Sequence, residues 1–163
     1  MIENAKCRLR VANERDYSDV LCLYRELMGE IPVLCGSEGA AEFNRILALP
    51  GTSIAVAEAG GQVVSAATLH VLPNLTHGGR PYALIENVVT LRAFQSRGFG
   101  RAVMNFARDR AWAMDAYKIM LLTGKAAGVR GFYERLGYTG DDKHAMTLRR
   151  SPARQPQPGN LPQ

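Results

Sequence analysis

The sequence predicts a mixed α/β domain in which a partly antiparallel central sheet is flanked by helices. Three observations carry that expectation. Strand-patterned and helix-patterned runs follow one another in the order β-α-α-β-β-β-α-β-α-β along 163 residues. Gly60-Gly61 joins two apolar, strand-like runs, which is the composition of a tight antiparallel hairpin. Further on, strand, helix and strand succeed each other directly; such a crossover makes its strands parallel and lays its helix over one sheet face.

Each element has its own signal. Lys6–Val11 alternates like a short strand. Asp16 then stands where a helix N-cap belongs, Val20, Leu23, Tyr24 and Leu27 recur at helical spacing, and Gly29 supplies a stop. IPVLCGSEG reads as a turn, and Ala40–Leu49 as a second helix ended by Pro50-Gly51. Thr52–Ala59 and Gln62–Leu72 are the hairpin strands, THGGRP is a loop, and Tyr82–Thr90 is the most strand-like run of all. That run is apolar on both faces, with Leu84 and Val88 on one and Ile85 and Val89 on the other, as in a central strand. A helix follows from Phe99 to Met114, then a strand Lys118–Thr123, a short helix Val129–Leu136 and a last strand near His144–Leu148. Residues 1–150 form one domain on this pattern. Residues 151–163, SPARQPQPGNLPQ, have almost no apolar content and read as a disordered tail.

Composition excludes several classes. No stretch approaches the roughly 18 consecutive apolar residues that span a bilayer, so no membrane is expected. MIENAKCRLR lacks an apolar signal core. Cys7, Cys22 and Cys35 are odd in number and show no CxxC spacing, which argues against a disulfide framework or a zinc site and for a cytoplasmic setting. They read as small apolar residues. The net charge of +5 suits ordinary solubility or an anionic ligand, with Arg97, Arg101, Arg108 and Arg110 as the densest basic group. Nucleic acid is not expected, because no basic stripe with interleaved aromatics is present. His70, His77 and His144 show no metal-ligand spacing, so no metal is expected; His77 stands in a loop that could line an acceptor pocket or be solvated.

The chemistry concentrates in QSRGFGRA, a two-glycine turn between the apolar strand and a helix. Amides at the head of a helix lack intrahelical partners, and the helix dipole adds partial positive charge there. Gly98 and Gly100 remove the side chains that would hold an anion away, and a phosphate or pyrophosphate fits such a cradle. The same glycines would equally serve a tight turn and close packing. Two phosphate motifs fail on spacing: Ala102 and Val103 fill the place of a third Rossmann glycine, and no GK[ST] follows for a P-loop.

Gln95-x-x-Gly98-x-Gly100 matches the (Q/R)-x-x-G-x-(G/A) signature of the GNAT superfamily of N-acetyltransferases, and the resemblance extends beyond it. ALIENVVTLRAFQSRGFGRAVM resembles the family's strand–turn–helix unit, YKIMLLTG with GFYERLGY its next strand and short helix, and CRLRVANERDYSDVLCLYREL its first strand and helix. Together these cover about residues 6 to 148. The resemblance implies the acyl-CoA N-acyltransferase fold, acetyl-CoA as co-substrate and an amine as acceptor. It also implies that Gln95, Ser96, Arg97, Gly98, Phe99, Gly100 and Arg101 receive the pyrophosphate, and that Val88, Val89 and Thr90 contact the pantetheine arm. A homodimer is compatible with it, since dimers are common among similar proteins. Arg97 and Arg101 are also readable as solvated surface residues.

Moving an acetyl group from sulfur to an amine needs a neutral amine, an oriented thioester and a proton for the departing thiolate. Glu86 is the carboxylate best placed for a base, since a lone Glu in an apolar strand costs free energy to bury unless paired or functional. A solvated or salt-bridged Glu at a bulge is the plainer alternative. IEN resembles the IED stretch of glucosamine-6-phosphate N-acetyltransferases, with Asn87 in place of the Asp, so the sugar phosphate does not follow from the base. Tyr133 matches the family tyrosine that bonds the coenzyme sulfur and returns a proton to it; a core aromatic is the alternative. GKAAGVRG lacks the asparagine that many relatives carry just before this tyrosine. Direct attack on acetyl-CoA needs no covalent enzyme intermediate, and no cysteine falls in a matched motif. A non-catalytic acyl-CoA sensor is the competing function.

Overall fold

The computed structural model describes residues 7–124, 129–141 and 144–150. β1 (Arg8–Val11) leads through a 3₁₀ turn (Glu14–Asp16) into α1 (Tyr17–Met28) and α2 (Gly36–Leu47). β2 (Thr52–Ala59), β3 (Gln62–Leu72) and β4 (Tyr82–Thr90) follow, then α3 (Phe99–Ala113), β5 (Ile119–Leu121) and α4 (Val129–Glu134). The strands lie in the order β1-β2-β3-β4-β5. All pairs are antiparallel except β4 with β5, the parallel pair that the α3 crossover requires.

Strand alternation sorts the core into two layers. Ile54, Val56, Val63, Ala66 and Val89 meet Val20 and Leu23 of α1 and Phe43 of α2. On the opposite face Ala55, Ala57, Ala67, Leu69, Ala83 and Ile85 meet Val103, Met104, Ala107 and Ala111 of α3, with Phe132 and Tyr133 of α4. The alanines on both sides of that second layer let the α3 backbone approach the sheet. Each large side chain fully buried this way contributes roughly 1.5–3 kcal/mol.

Three expectations change. α2 starts four residues earlier than the turn-like composition of GSEG suggests, with Cys35 at its N-cap. A Cβ on Gly39 would stand 2.3 Å from the Tyr17 hydroxyl and 2.7 Å from the Leu34 carbonyl, so this glycine permits close packing and tertiary contact overrides low helix propensity. The strand expected at His144–Leu148 does not form: residues 144–150 are irregular, with Met146 and Leu148 92% and 102% exposed. Alternation says which side of a strand would be apolar, but a strand also needs a partner. Among the described residues, β5 pairs with β4 alone. The three cysteines are free and exposed rather than small core residues. The tail at 151–163 lies outside the described residues.

Asp16 holds the N-cap position of α1 but makes no side-chain cap there. Its carboxylate instead accepts from the Arg10 guanidinium at 2.6 and 2.8 Å and from the Asn13 amide at 2.8 Å. Arg10 also reaches Glu58 on β2 at 2.8 and 3.0 Å. Burial alone would raise the Asp16 carboxyl, but the Arg10 hydrogen bond and the Asn13 amide outweigh it and hold the group below the usual carboxylate range. A depressed native pKa gives stability that is complete above the unfolded value near 3.9 and lost as pH falls through the native one. Asp16→Asn is therefore expected to lower unfolding free energy by about 2 kcal/mol at pH 7. Urea titrations should show the deficit shrinking below pH ~4 as the wild-type carboxylate protonates; a constant deficit down to pH ~2 would contradict the assignment.

Candidate coenzyme and acyl-transfer site

β4 pairs with β5 at Ala83, Leu84 and Ile85 and no further. Glu86, half-buried, is the first residue past that pairing. Against β3 the pairing continues but shifts: Thr68 faces Glu86 and Ala66 faces Val89, leaving Asn87 and Val88 opposite Ala67 alone. This is a β-bulge, and Asn87 takes φ 53. Asn tolerates the left-handed region better than most residues with a Cβ.

The bulge reverses strand parity. Ile85 and Val88 both join the α3 layer, whereas Val89 joins the α1 layer. The sequence expectation that Leu84 shares a face with Val88, and Ile85 with Val89, is corrected accordingly. An extra residue in one strand turns every later side chain to the opposite face. Beyond Ile85 the side of β4 that looked toward β5 is left without a strand partner among the described residues.

The turn that follows is braced from inside the protein. The buried Ser65 hydroxyl donates to the Val89 carbonyl at 3.0 Å and shares a hydrogen bond with the Thr90 hydroxyl at 2.8 Å. Gln95 Nε2 donates to the Thr90 carbonyl at 3.2 Å, so the Gln95 side chain fastens the turn. From α1, Glu26 Oε1 accepts the Arg92 amide at 2.6 Å. Ser96 and Gly98 adopt φ 59 and 86, which aligns successive peptide groups before α3 begins at Phe99. Gly98, the N-cap of α3, has no side chain to cap the helix, and the Ala102 amide bonds back to the Gly98 carbonyl at 3.0 Å. Amides in the first turn of a helix have no acceptor within it.

Around them, Phe94 and Phe99 meet edge to face at 6.0 Å, and the Arg97 guanidinium lies 5.3 Å from the Phe94 ring centre. Arg97 and Arg101 are exposed, and Gly100 is buried. Farther along α3 the other two arginines are engaged within the protein. Arg108 pairs with Asp109 at 2.8 Å, and Arg110 donates to Ser53 at 3.2 Å.

Tyr133 lies in the α3 layer, only 7% exposed, with Phe132 and Tyr138 edge-on at 5.1 and 6.0 Å. Burial raises its phenol well above the ordinary value, helped by Tyr138 and by the negative charge of Glu86. The charge of Glu86, far away in the sequence, is thus felt at the Tyr133 phenol. His77 stands apart from them, stacked on Tyr117 at 3.8 Å, and His70 bonds Thr52 at 2.9 Å. No cluster able to hold a metal ion occurs among the described residues. The sequence reading passes over Ser65 and Thr68 and takes Tyr24 only as a helically spaced residue of the first helix. The legible signal was two hydroxyls interrupting the apolar run VVSAATL.

A mixed five-stranded sheet that opens between two parallel strands, joined by a helix with glycine at its N-cap, fits an acyltransferase architecture. The family model "Acetyltransferase (GNAT) family" matches residues 21–138. The chain belongs to the GNAT family of acetyltransferases. It is 30% identical over 145 residues to glucosamine 6-phosphate N-acetyltransferase of Trypanosoma brucei brucei, which covers 88% of this chain and 96% of that protein. Among solved structures, a chain from Agrobacterium tumefaciens str. C58, provisionally described as an acetyltransferase, is 43% identical with TM-score 0.84, covering 88% of this chain and 99% of that one. A Trypanosoma brucei acetyltransferase is 29% identical with TM-score 0.75 and the same coverages.

A Cβ on Gly98 would meet nothing within 4 Å, so only its left-handed backbone resists substitution. Gly98→Ala should cost about 1 kcal/mol in denaturant unfolding, and Gly98→Asn less. Equal costs for the two would assign the loss to something other than φ.

Proposed function

We propose that this chain transfers acetyl from acetyl-CoA to a primary amine of a small acceptor by direct attack in a ternary complex. One observation carries the proposal: past Ile85, β4 has no strand partner on its β5 side among the described residues, and it leads through a glycine turn to the head of α3. Glu86 and Thr90 lie opposite Thr68 and Ser65, three residues apart on β3, so the bulged stretch spans roughly 10 Å at about 3.3 Å per residue. That is the order of length a pantetheine arm needs between its pyrophosphate and its thioester.

In this reading the amides of residues 97–101 receive the pyrophosphate, with Arg97 and Arg101 adding charge-assisted bonds. Gln95 and Ser96 hold the turn in shape, while Phe99 and Gly100 let the helix head come close. Val88, Val89 and Thr90 offer main-chain groups to the pantetheine arm, as a neighbouring strand would. Glu86 takes a proton from the ammonium form of the acceptor, directly or through one water. As the new C–N bond forms and the C–S bond breaks, Tyr133 gives its phenolic proton to the thiolate. The amine's second proton leaves to solvent, Glu86 releases its proton to solvent as well, and solvent reprotonates Tyr133, so the protein ends unchanged.

The raised pKa keeps the Tyr133 proton in place beyond the ordinary tyrosine value near 10, and it also makes the phenol a weaker acid toward the thiolate. The relative's amino sugar phosphate heads the acceptors to test. Asn87, where that family's stretch reads IED, leaves other amino sugars, aminoglycosides and polyamines beside it.

Thiol release from acetyl-CoA across an amine panel is the decisive assay. Glu86→Gln is expected to lower kcat/KM about 10²-fold while acetyl-CoA binding persists. Tyr133→Phe should lower kcat, and wild type should show no alkaline limb from this phenol below pH ~10. Tight acetyl-CoA binding with no thiol release from any amine would make the chain a coenzyme sensor instead.

A further inference from the structure

Strand parity puts a second chemistry-bearing residue on the face that carries Glu86. Along β3, Leu69 and Val71 belong to the α3 layer. Thr68 and His70 alternate with them and stand on the other side, where the Thr68 hydroxyl shares a 2.9 Å hydrogen bond with Tyr24 of α1. Glu86 lies directly opposite Thr68, and Leu84 lies opposite His70. Cross-strand partners share a face, so Glu86 stands on the α1 side, and His70 is its diagonal neighbour about 7–8 Å away. An amine that gives its proton to Glu86 therefore arrives over a surface that includes His70.

The imidazole is half-buried, and its Nδ1 is 2.9 Å from the hydroxyl of Thr52, its partner on β2. That bond draws the ring toward β2, away from β4, and fixes the tautomer. The second ring nitrogen, Nε2, has no protein partner among the described residues. The neighbouring hydroxyls of Thr52 and Thr68 are already bonded within the protein. A hydroxyl donates and accepts, so it pairs with Nε2 whichever tautomer Thr52 selects. Leu84, opposite His70, adds apolar surface on the same face for the carbons of a ring.

We propose that His70 is a specificity-determining residue: its Nε2 hydrogen-bonds a hydroxyl carried across one six-membered ring from the amine that Glu86 deprotonates. The site then favours hydroxylated cyclic amines, the chemistry of amino sugars and aminocyclitols, over alkyl amines of the same size. This inference rests on the acetyl-transfer reading and on Glu86 as its base. A site built to bond a substrate hydroxyl rejects the analogue without it, because its own polar group is then left unpaired.

The compounds trans-4-aminocyclohexanol and cyclohexylamine differ by that one hydroxyl. Wild type is expected to favour the first by about tenfold or more in kcat/KM. His70→Leu should bring the ratio to about 1, whereas His70→Gln, which keeps a donor and an acceptor, should retain part of it. Thr52→Val keeps the shape but cannot orient the ring, and should lower the ratio as well. A merely structural role for His70 would slow both amines and leave the ratio intact. That result, or a wild-type ratio near 1, overturns the proposal. If wild type releases thiol with neither amine, the ring ¹⁵N shifts of His70 in the full chain decide the contact. Shifts that move with trans-4-aminocyclohexanol and not with cyclohexylamine support it, and equal responses overturn it. Thiol release with no amine of any kind is the separate failure of the acetyl-transfer reading.

Discussion

Beyond Ile85, β4 keeps its hydrogen bonds to β3 and loses them to β5, and a left-handed Asn87 sits at the changeover. The rest of the site depends on that imbalance. A strand paired on both sides offers no main-chain groups to a ligand. Here the opening is confined to the last part of one strand, so the sheet retains its core while a short stretch of main chain goes without β5 as a partner. The parity reversal also puts Val88 against α3 and Val89 against α1, which keeps both layers apolar where the strand would otherwise misdirect a side chain.

Such an opening is stable only if the flanking segments hold still, and three elements contribute. From within the sheet, Ser65 bonds the end of β4 through Val89 and Thr90. From the turn, Gln95 closes on the Thr90 carbonyl. From α1, Glu26 takes the Arg92 amide and Tyr24 reaches Thr68. Each bond is worth only about 1 kcal/mol net, but all except the Tyr24–Thr68 bond act on the few residues between Glu86 and Gly98. The Arg10–Asp16–Glu58 cluster serves a different end, joining β1 and β2 to the entry of α1.

Much of the framework was legible because local physics fixes it. The hairpin at Gly60-Gly61, the limits of β2, β3 and β4, and α3 from Phe99 follow from alternation, apolar runs and turn residues, and the structure places them accordingly. Elements whose existence rests on distant partners were not legible. The first turn of α2 depends on Tyr17 and Leu34 approaching Gly39. The strand pattern at 144–148 found no neighbour. Asp16 had the chemistry of a cap, yet Arg10 claimed its carboxylate.

The sequence by itself determined the order of elements, the glycine turn after the central strand and the presence of Glu86 and Tyr133 as candidate chemistry. These are properties of neighbours in the chain, where spacing and backbone preference act without reference to anything far away. Only the tertiary structure decided that β5 stops at Leu121, that Asn87 forms a bulge, and that Glu86 and Tyr133 lie within electrostatic reach. Those outcomes are set by pairing register and packing between segments tens of residues apart, and register, unlike periodicity, is not written in any one segment.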